Sequence, residues 1–298
     1  MKVLMSGASG LVGRATTEML RARGDVVVPL VRGSSTDGVP WKPDAGWLDE
    51  AALRRTAPDM VIHLAGENIA DGRWTEEKKR RIRDSRVLGT QLLARSLASL
   101  DPKPRLLLSA AAIGIYGNRG DELRDETSPA GDSFLAHVAR DWEAATAPAE
   151  AAGIRVVHLR IGVVLTPLGG ALKAMLTPFR LGVGGVVGDG RQYLSWISLT
   201  DLIGMIRFIL ERDDIRGSVN AVSPNPATNR EFTKTLGRVL NRPTIFPLPG
   251  FLIRAIFGEM GEATLLASTR AIPRRLSELG FTFQHPELEA ALRHELGK

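Results

Sequence analysis

The stretch KVLMSGASGLVGRATTEMLRARG, residues 2–24, decides the fold. Residues 2–6 are a short apolar run that ends in a glycine, as a buried strand does. Residues 11–23 carry apolar side chains at helical spacing and stop at Gly24, a good helix terminator. Between the two stand Gly7, Gly10 and Gly13. A glycine triplet that follows a strand and opens a helix has the context of a dinucleotide fingerprint. The first glycine permits a tight turn, the second lets backbone approach a pyrophosphate, and the third lets helix and strand pack closely. The start of the helix then offers free N–H groups and partial positive charge. Gly7, Ser9, Gly10, Leu11, Val12 and Gly13 are therefore candidate cofactor contacts.

Downstream, the same alternation continues. Residues 26–31 (VVVPLV) form a second β-branched run, in which Pro29 argues for an edge or irregular pairing. A short helix is predicted at 51–57 before Pro58, a strand at 60–65, and a long helix at 75–99. A strand follows at 105–110, a helix at 134–152, and a strand with an extension at 155–165. Such alternation predicts a parallel sheet covered by helices on both faces. The expected architecture is α/β: a doubly wound, Rossmann-type domain over 1–165, to which 195–225 returns. Residues 166–194 are glycine-rich, with a short helix expected around 170–180. Helices are expected at 200–211 and 229–240, and prolines at 243, 247, 249, 273 and 286 interrupt the rest. Residues 166–194 and 226–298 read as a smaller, mainly helical domain that encloses a substrate.

Composition narrows the class. With 44% hydrophobic and 24% charged residues among 298, the chain is globular rather than disordered or fibrous. The absence of cysteine excludes disulfides, thiolate metal sites and a cysteine nucleophile. The five histidines lack metal-ligand spacing, so no metal is expected. No stretch reaches the ~18 apolar residues of a membrane span, and a cytoplasmic protein is expected. The net charge of +6 is spread along the chain. Its densest run, Arg73 to Arg86, interleaves acids with the bases and holds a single aromatic, Trp74. It reads as a solvated helix face, not a nucleic-acid surface.

The second strand indicates which cofactor is bound. An NAD site usually carries Asp or Glu at its end, on the ribose hydroxyls. Here Arg32 follows Val31, and its planar, permanent cation suits a 2′-phosphate. NADP(H) is the expected cofactor. His63 ends the next strand and reads as a core histidine. Leu64, Ala65 and Gly66 after it would let the cofactor cross the carboxyl edge of the sheet.

GASGLVG (7–13), HLAG (63–66), RVLGTQLL (86–93), IYG (115–117), LR (159–160), WISLTDL (196–202) and GSVNAVSP (217–224) occur in this order. Together they resemble the extended short-chain dehydrogenase/reductase superfamily, in its epimerase/dehydratase group. RWTEEKKRRIRDSR (73–86), FLAHVARDWEAA (134–145), GEM (258–260) and STRAIPRRL (268–276) resemble, more narrowly, an atypical epimerase-like subfamily with a C-terminal domain of unassigned function.

The resemblance implies proton chemistry by a Ser/Thr, a Tyr and a Lys, the last two four residues apart on a helix. This chain departs from that pattern. It has two tyrosines, Tyr116 and Tyr193, and no YxxxK. Aligned on Glu143, the tyrosine and lysine positions fall on Leu135 and Ala139. The Ser/Thr position falls on Ala112, with Ser109 three residues earlier. Arg86 replaces the usual asparagine and faces either the cofactor phosphates or the substrate. Glu67, Ser109 and Tyr116 are the candidate catalytic residues, Tyr116 at the expected mouth of the cleft. His137 and Asp141, four apart on one helix, are a further candidate pair. Glycines at 182–190 form either a closing loop or a plain connection, and Trp196 and Asp201 match a cleft-shaping segment. The reading is an NADP(H)-binding, epimerase- or reductase-like protein for a carbonyl or sugar-type substrate. The alternative is an NADPH-binding sensor or scaffold without turnover.

Overall fold

The computed structural model describes residues 1–33 and 37–298. The first half of the chain runs β1 (Lys2–Ser6), α1 (Leu11–Ala22), β2 (Val26–Val31), β3 (Val39–Lys42), β4 (Trp47–Leu48), α2 (Glu50–Thr56) and β5 (Met60–His63). Next come α3 (Glu76–Ala98), β6 (Leu106–Ala112), β7 (Leu123–Arg124), α4 (Phe134–Ala144), α5 (Ala147–Ala151), β8 (Arg155–Ile161) and β9 (Val163–Leu165). The remainder is α6 (Gly170–Arg180), β10 (Tyr193–Leu194), β11 (Trp196–Ser198), α7 (Leu199–Leu210), β12 (Gly217–Ala221) and β13 (Ala227–Thr228). It ends with α8 (Asn229–Leu240), α9 (Gly250–Gly261), β14 (Arg270–Ala271), α10 (Arg274–Glu278) and α11 (Leu288–Leu296).

Eight strands form one sheet in the order β12-β8-β6-β5-β1-β2-β3-β4. Every neighbouring pair is parallel except β3 with β4. This is the doubly wound, Rossmann-type sheet the alternation predicts. Both of its faces are buried, and the two-residue period of a strand sorts side chains between them. Val3, Met5, Met60, Ile62, Leu106 and Leu108 pack on one face with Leu20 of α1 and Ile206 of α7. Leu4, Val61, Leu107 and Val156 point the other way, onto Leu93 and Leu97 of α3 and Leu53 of α2. Strand order reverses between β1 and β5, so their carboxyl ends open the crevice in which open α/β sheets bind ligands.

Pro29 has a simple accommodation. β2 lies between β1 and β3, but β3 reaches only Leu30 and Val31. The helix expected over 134–152 is broken in two, because Pro148 has no N–H and its ring would meet the carbonyl four residues back. The 155–165 strand also divides, at Gly162, where a side chain would lie 2.6 Å from the Ser195 carbonyl oxygen. The short β3 and β4 escape sequence reading, since neither has an apolar run of its own.

The later part of the chain builds a second, smaller core. Leu172, Leu176 and Phe179 of α6 meet Phe232 and Leu236 of α8, Trp196, and Leu292 of α11. Residues 276–283 turn back onto the main sheet, where Leu276 is fully buried. Among the described residues, no helix is long and apolar enough to cross a membrane. Nor do three His, Asp or Glu gather closely enough among them to hold a metal ion.

Candidate functional site

The glycine loop connects β1 to α1 as its spacing requires. Gly7 has φ of +70°, and a Cβ there would lie 2.8 Å from the Leu64 carbonyl carbon. At Gly13 a Cβ would lie 2.0 Å from the Gly7 oxygen, so the helix can approach the loop only without one. The Gly10 N–H donates to that same oxygen at 2.9 Å. No side chain caps α1, and no acid stands in its first turn. Its N-terminal N–H groups and dipole therefore face the crevice, a fit for a pyrophosphate. Ser9 and Gly10 are exposed there, and Leu11 and Val12 are half-buried. Leu11 also packs against Gly169, ahead of α6, which brings the second core to the loop.

Beside the loop, a buried chain of hydrogen bonds holds the end of β5. The Leu64 and Ala65 N–H groups donate to Ser6 Oγ, at 3.1 and 3.2 Å. Ser6 Oγ lies 2.6 Å from His63 Nδ1, and His63 Nε2 lies 3.0 Å from Thr90 Oγ1. Trp142 Nε1 donates to the same Thr90 oxygen at 2.9 Å. With two N–H groups already on its oxygen, Ser6 donates its proton to Nδ1, so His63 carries its own proton on Nε2. Burial pushes the imidazole down to about 4, and it stays neutral near pH 7. His63 is a core histidine.

Arg86 lies next to this chain. Its guanidinium is 5.1 Å from the Trp142 ring centroid and donates to the Ile82 carbonyl at 3.0 Å. Gly66 covers it: a Cβ on that glycine would lie 3.3 Å from the guanidinium carbon. Burial pushes Arg86 down to about 10, against the opposing pull of Glu67. Arg86 forms no ion pair among the described residues, and neither does the exposed Arg32 after β2. Two cations without a direct ion pair among the described residues, an uncapped helix and a loop that excludes Cβ atoms fit a phosphorylated dinucleotide.

A cavity of about 250 Å³ adjoins Arg86. α4 contributes Leu135, Val138, Ala139 and Trp142, and the end of β6 contributes Ala112. Tyr193 and Ser195 come from β10 and the link after it, while Thr264 and Thr269 come from the segment after α9. Ala112, Leu135 and Ala139, where the resemblance implies Ser/Thr, Tyr and Lys, all line this space. An apolar wall stands where proton-transfer groups would be.

The three candidate catalytic residues do not meet there. Tyr116 is not at the mouth of the cleft. It is fully buried, donates to Asn220 Oδ1 at 2.8 Å and accepts from Arg160 at 3.0 Å. Burial pushes its phenol up, and Arg160, which also clasps Glu143 with two hydrogen bonds, pulls the other way. Ser109 is buried within β6, paired opposite His63 and His158. Glu67 accepts from Lys78 at 2.8 Å and lies 3.5 Å from Arg81. The Lys78 hydrogen bond in particular holds its carboxyl below the ordinary value, as an ionised, engaged group. His137 and Asp141 take different partners, Asp132 and Arg83. The 182–190 glycines pack closely: a Cβ on Gly185 would overlap the Phe246 carbonyl, and Gly188 N–H bonds Leu248. Trp196 is buried in the second core, and Asp201 is buried at the start of α7. Sequence reading did not single out Tyr193, Thr264 or Thr269 for the cavity; nothing in their local pattern marks them.

Comparison with known proteins agrees with the motif order. The profile of the NAD dependent epimerase/dehydratase family matches residues 3–221. A domain of unknown function (DUF1731) matches residues 248–295. Epimerase family protein Mb2239 of Mycobacterium bovis is 43% identical over 292 residues, 97% of this chain and 96% of that protein. Epimerase family protein SDR39U1 of Homo sapiens is 38% identical over 299 residues, 98% of this chain and 99% of that one. A crystal structure of human SDR39U1 (isoform 2) with NADPH has a TM-score of 0.92 and 36% identity, covering 100% of this chain and 99% of that one. UDP-glucose 4-epimerase of Thermotoga maritima shares the fold at a TM-score of 0.77, with 16% identity and 100% and 99% coverage. The chain belongs to the NAD dependent epimerase/dehydratase family and carries that domain of unknown function at its C-terminal end.

Proposed function

We propose that this protein binds NADP(H) across the carboxyl edge of β1, β2 and β5 and acts as a reductase- or epimerase-like enzyme on a carbonyl-bearing substrate. Gly7, Ser9, Gly10, Leu11, Val12 and Gly13 form the pyrophosphate cradle. Leu64, Ala65 and Gly66 support the cofactor's path, and Arg86 meets its negative charge. A reduced nicotinamide supplies hydride chemistry when bound. The observation that carries the reading is Arg32, an exposed guanidinium with no direct ion pair among the described residues, at the position where an NAD site holds an acid. The NADPH in the human SDR39U1 structure supports the same cofactor.

Titration by tryptophan fluorescence tests it. Trp142 beneath Arg86 places an indole at the site. NADPH is expected to bind at least tenfold tighter than NADH, a difference of ~1.4 kcal/mol. Equal affinities, or none, would overturn the reading. A second reading is favoured by the apolar side chains at Ala112, Leu135 and Ala139: an NADPH-bound sensor that turns nothing over. Hydride transfer from bound NADPH to any acceptor eliminates that one.

A further inference from the structure

We propose that the cavity beside Arg86 binds a small, largely apolar carbonyl compound, held by a hydrogen bond from the Tyr193 hydroxyl. This names the substrate class for the function proposed above and rests on that reading for the cofactor alone.

Size is the first argument. A volume of about 250 Å³ falls below the ~300–1,000 Å³ of sites for drug-sized ligands. A small compound fills such a space, whereas most of a nucleotide sugar would lie outside it. The second argument is the wall. On the side formed by Ala112, Leu135 and Ala139 no side chain can partner a sugar's hydroxyls, and burying unpaired hydroxyls is costly; the polar lining is confined to Arg86, assigned above to the cofactor, and to four hydroxyl residues.

The third argument comes from the hydroxyls that do line the space. Ser195 donates to the Thr269 carbonyl at 2.7 Å. Thr264 donates to the Met260 carbonyl at 2.7 Å, and Thr269 donates to the Gly117 carbonyl at 3.0 Å. All three protons are committed to backbone. The Tyr193 hydroxyl has no partner among the described residues. Its ring is nevertheless fixed. The backbone pairs with Thr228, the N–H donates to Ser268 at 2.8 Å, and Arg270 sits 4.8 Å from the ring centroid. A positioned O–H beside an apolar space selects a ligand with one acceptor and rejects an analogue without it.

Ligand-observed NMR on the intact protein, with and without NADP⁺, tests this using acetophenone, α-methylstyrene and UDP-glucose. Acetophenone is expected to bind. α-Methylstyrene, the same shape with a methylene in place of oxygen, is expected to bind at least fivefold more weakly. Tyr193→Phe should remove that preference while its NADPH affinity stays within twofold of wild type, which also reports an intact fold. Three results overturn the proposal: no acetophenone binding by a protein that binds NADPH, an unchanged preference in Tyr193→Phe, or tighter binding of UDP-glucose. Failure to bind NADPH, with Tyr193-dependent acetophenone binding retained, would instead remove the cofactor reading and leave the cavity assignment standing.

Discussion

Arg32 and His63 show how differently single residues reveal themselves. Arg32 is legible in sequence because the position after a second Rossmann strand has a chemical meaning, and its exposed side chain has no direct ion pair among the described residues. Arg32→Ala is expected to abolish the NADPH preference, bringing the NADPH and NADH affinities within twofold in the fluorescence titration. His63 matters through its burial. Its folded pKa of about 4 lies below the ordinary 6.5, so between those values the unfolded chain binds a proton that the folded chain refuses. Stability is thus fully present above pH 6.5 and is lost as pH falls toward 4. The loss from this residue is on the order of 3 kcal/mol at ~1.36 kcal/mol per unit. Burial depresses His158 in the same direction. Urea unfolding between pH 4 and 8 measures the total, and NMR titration of His63 identifies its share; a His63 pKa near 6.5 would refute the assignment. The two tyrosines give the opposite lesson. Chain order favours Tyr116, yet its hydroxyl is spent on Asn220 and Arg160, whereas Tyr193 lines the cavity and its hydroxyl has no partner among the described residues.

Among the elements, the junction of β1 and α1 is the most sequence-determined. Gly13→Ala puts a Cβ 2.0 Å from the Gly7 oxygen, and backbone on both sides leaves it nowhere to go. It is expected to destabilise the protein by roughly 1–3 kcal/mol, as overpacking does. Because the displaced loop is the phosphate cradle proposed above, NADPH affinity should fall more than tenfold. Urea unfolding and the NADPH titration read the two effects, and normal binding in a destabilised variant would separate loop from site. Glycine and helical periodicity are local signals, which is why α1 and α3 begin and end within a residue or two of expectation. The expected 134–152 helix shows the limit of periodicity. Its pattern runs on past Ala144, but Pro148 ends hydrogen bonding there, and Thr146 turns to His158 at 2.8 Å.

At the scale of the whole molecule, a few polar side chains fasten the last segments to α7 and β12. Asp201 accepts the Gln284 and His285 N–H groups at 2.7 and 3.0 Å, besides the Ser198 hydroxyl. Asp201→Ala leaves those N–H groups unsatisfied and should cost about 1–3 kcal/mol. Hydrogen exchange should quicken first over 284–296 while β1 stays protected; uniform acceleration would show that Asp201 is no local clasp. Glu126 does similar work, accepting the Asn220 N–H of β12 and the Arg275 N–H of α10. By itself the sequence determined the alternating sheet, the glycine cradle, the place of Arg32 and the loss of the usual proton-transfer groups. Each of those is a local pattern, set by residue type and spacing. Only the tertiary structure decided that Arg86 rests on Trp142, that Tyr116 is walled off, and that Tyr193 shares a cavity with Ala112, Leu135 and Ala139. Those meetings join segments far apart in the chain, and side-chain packing, which spacing along one segment does not encode, brings them together.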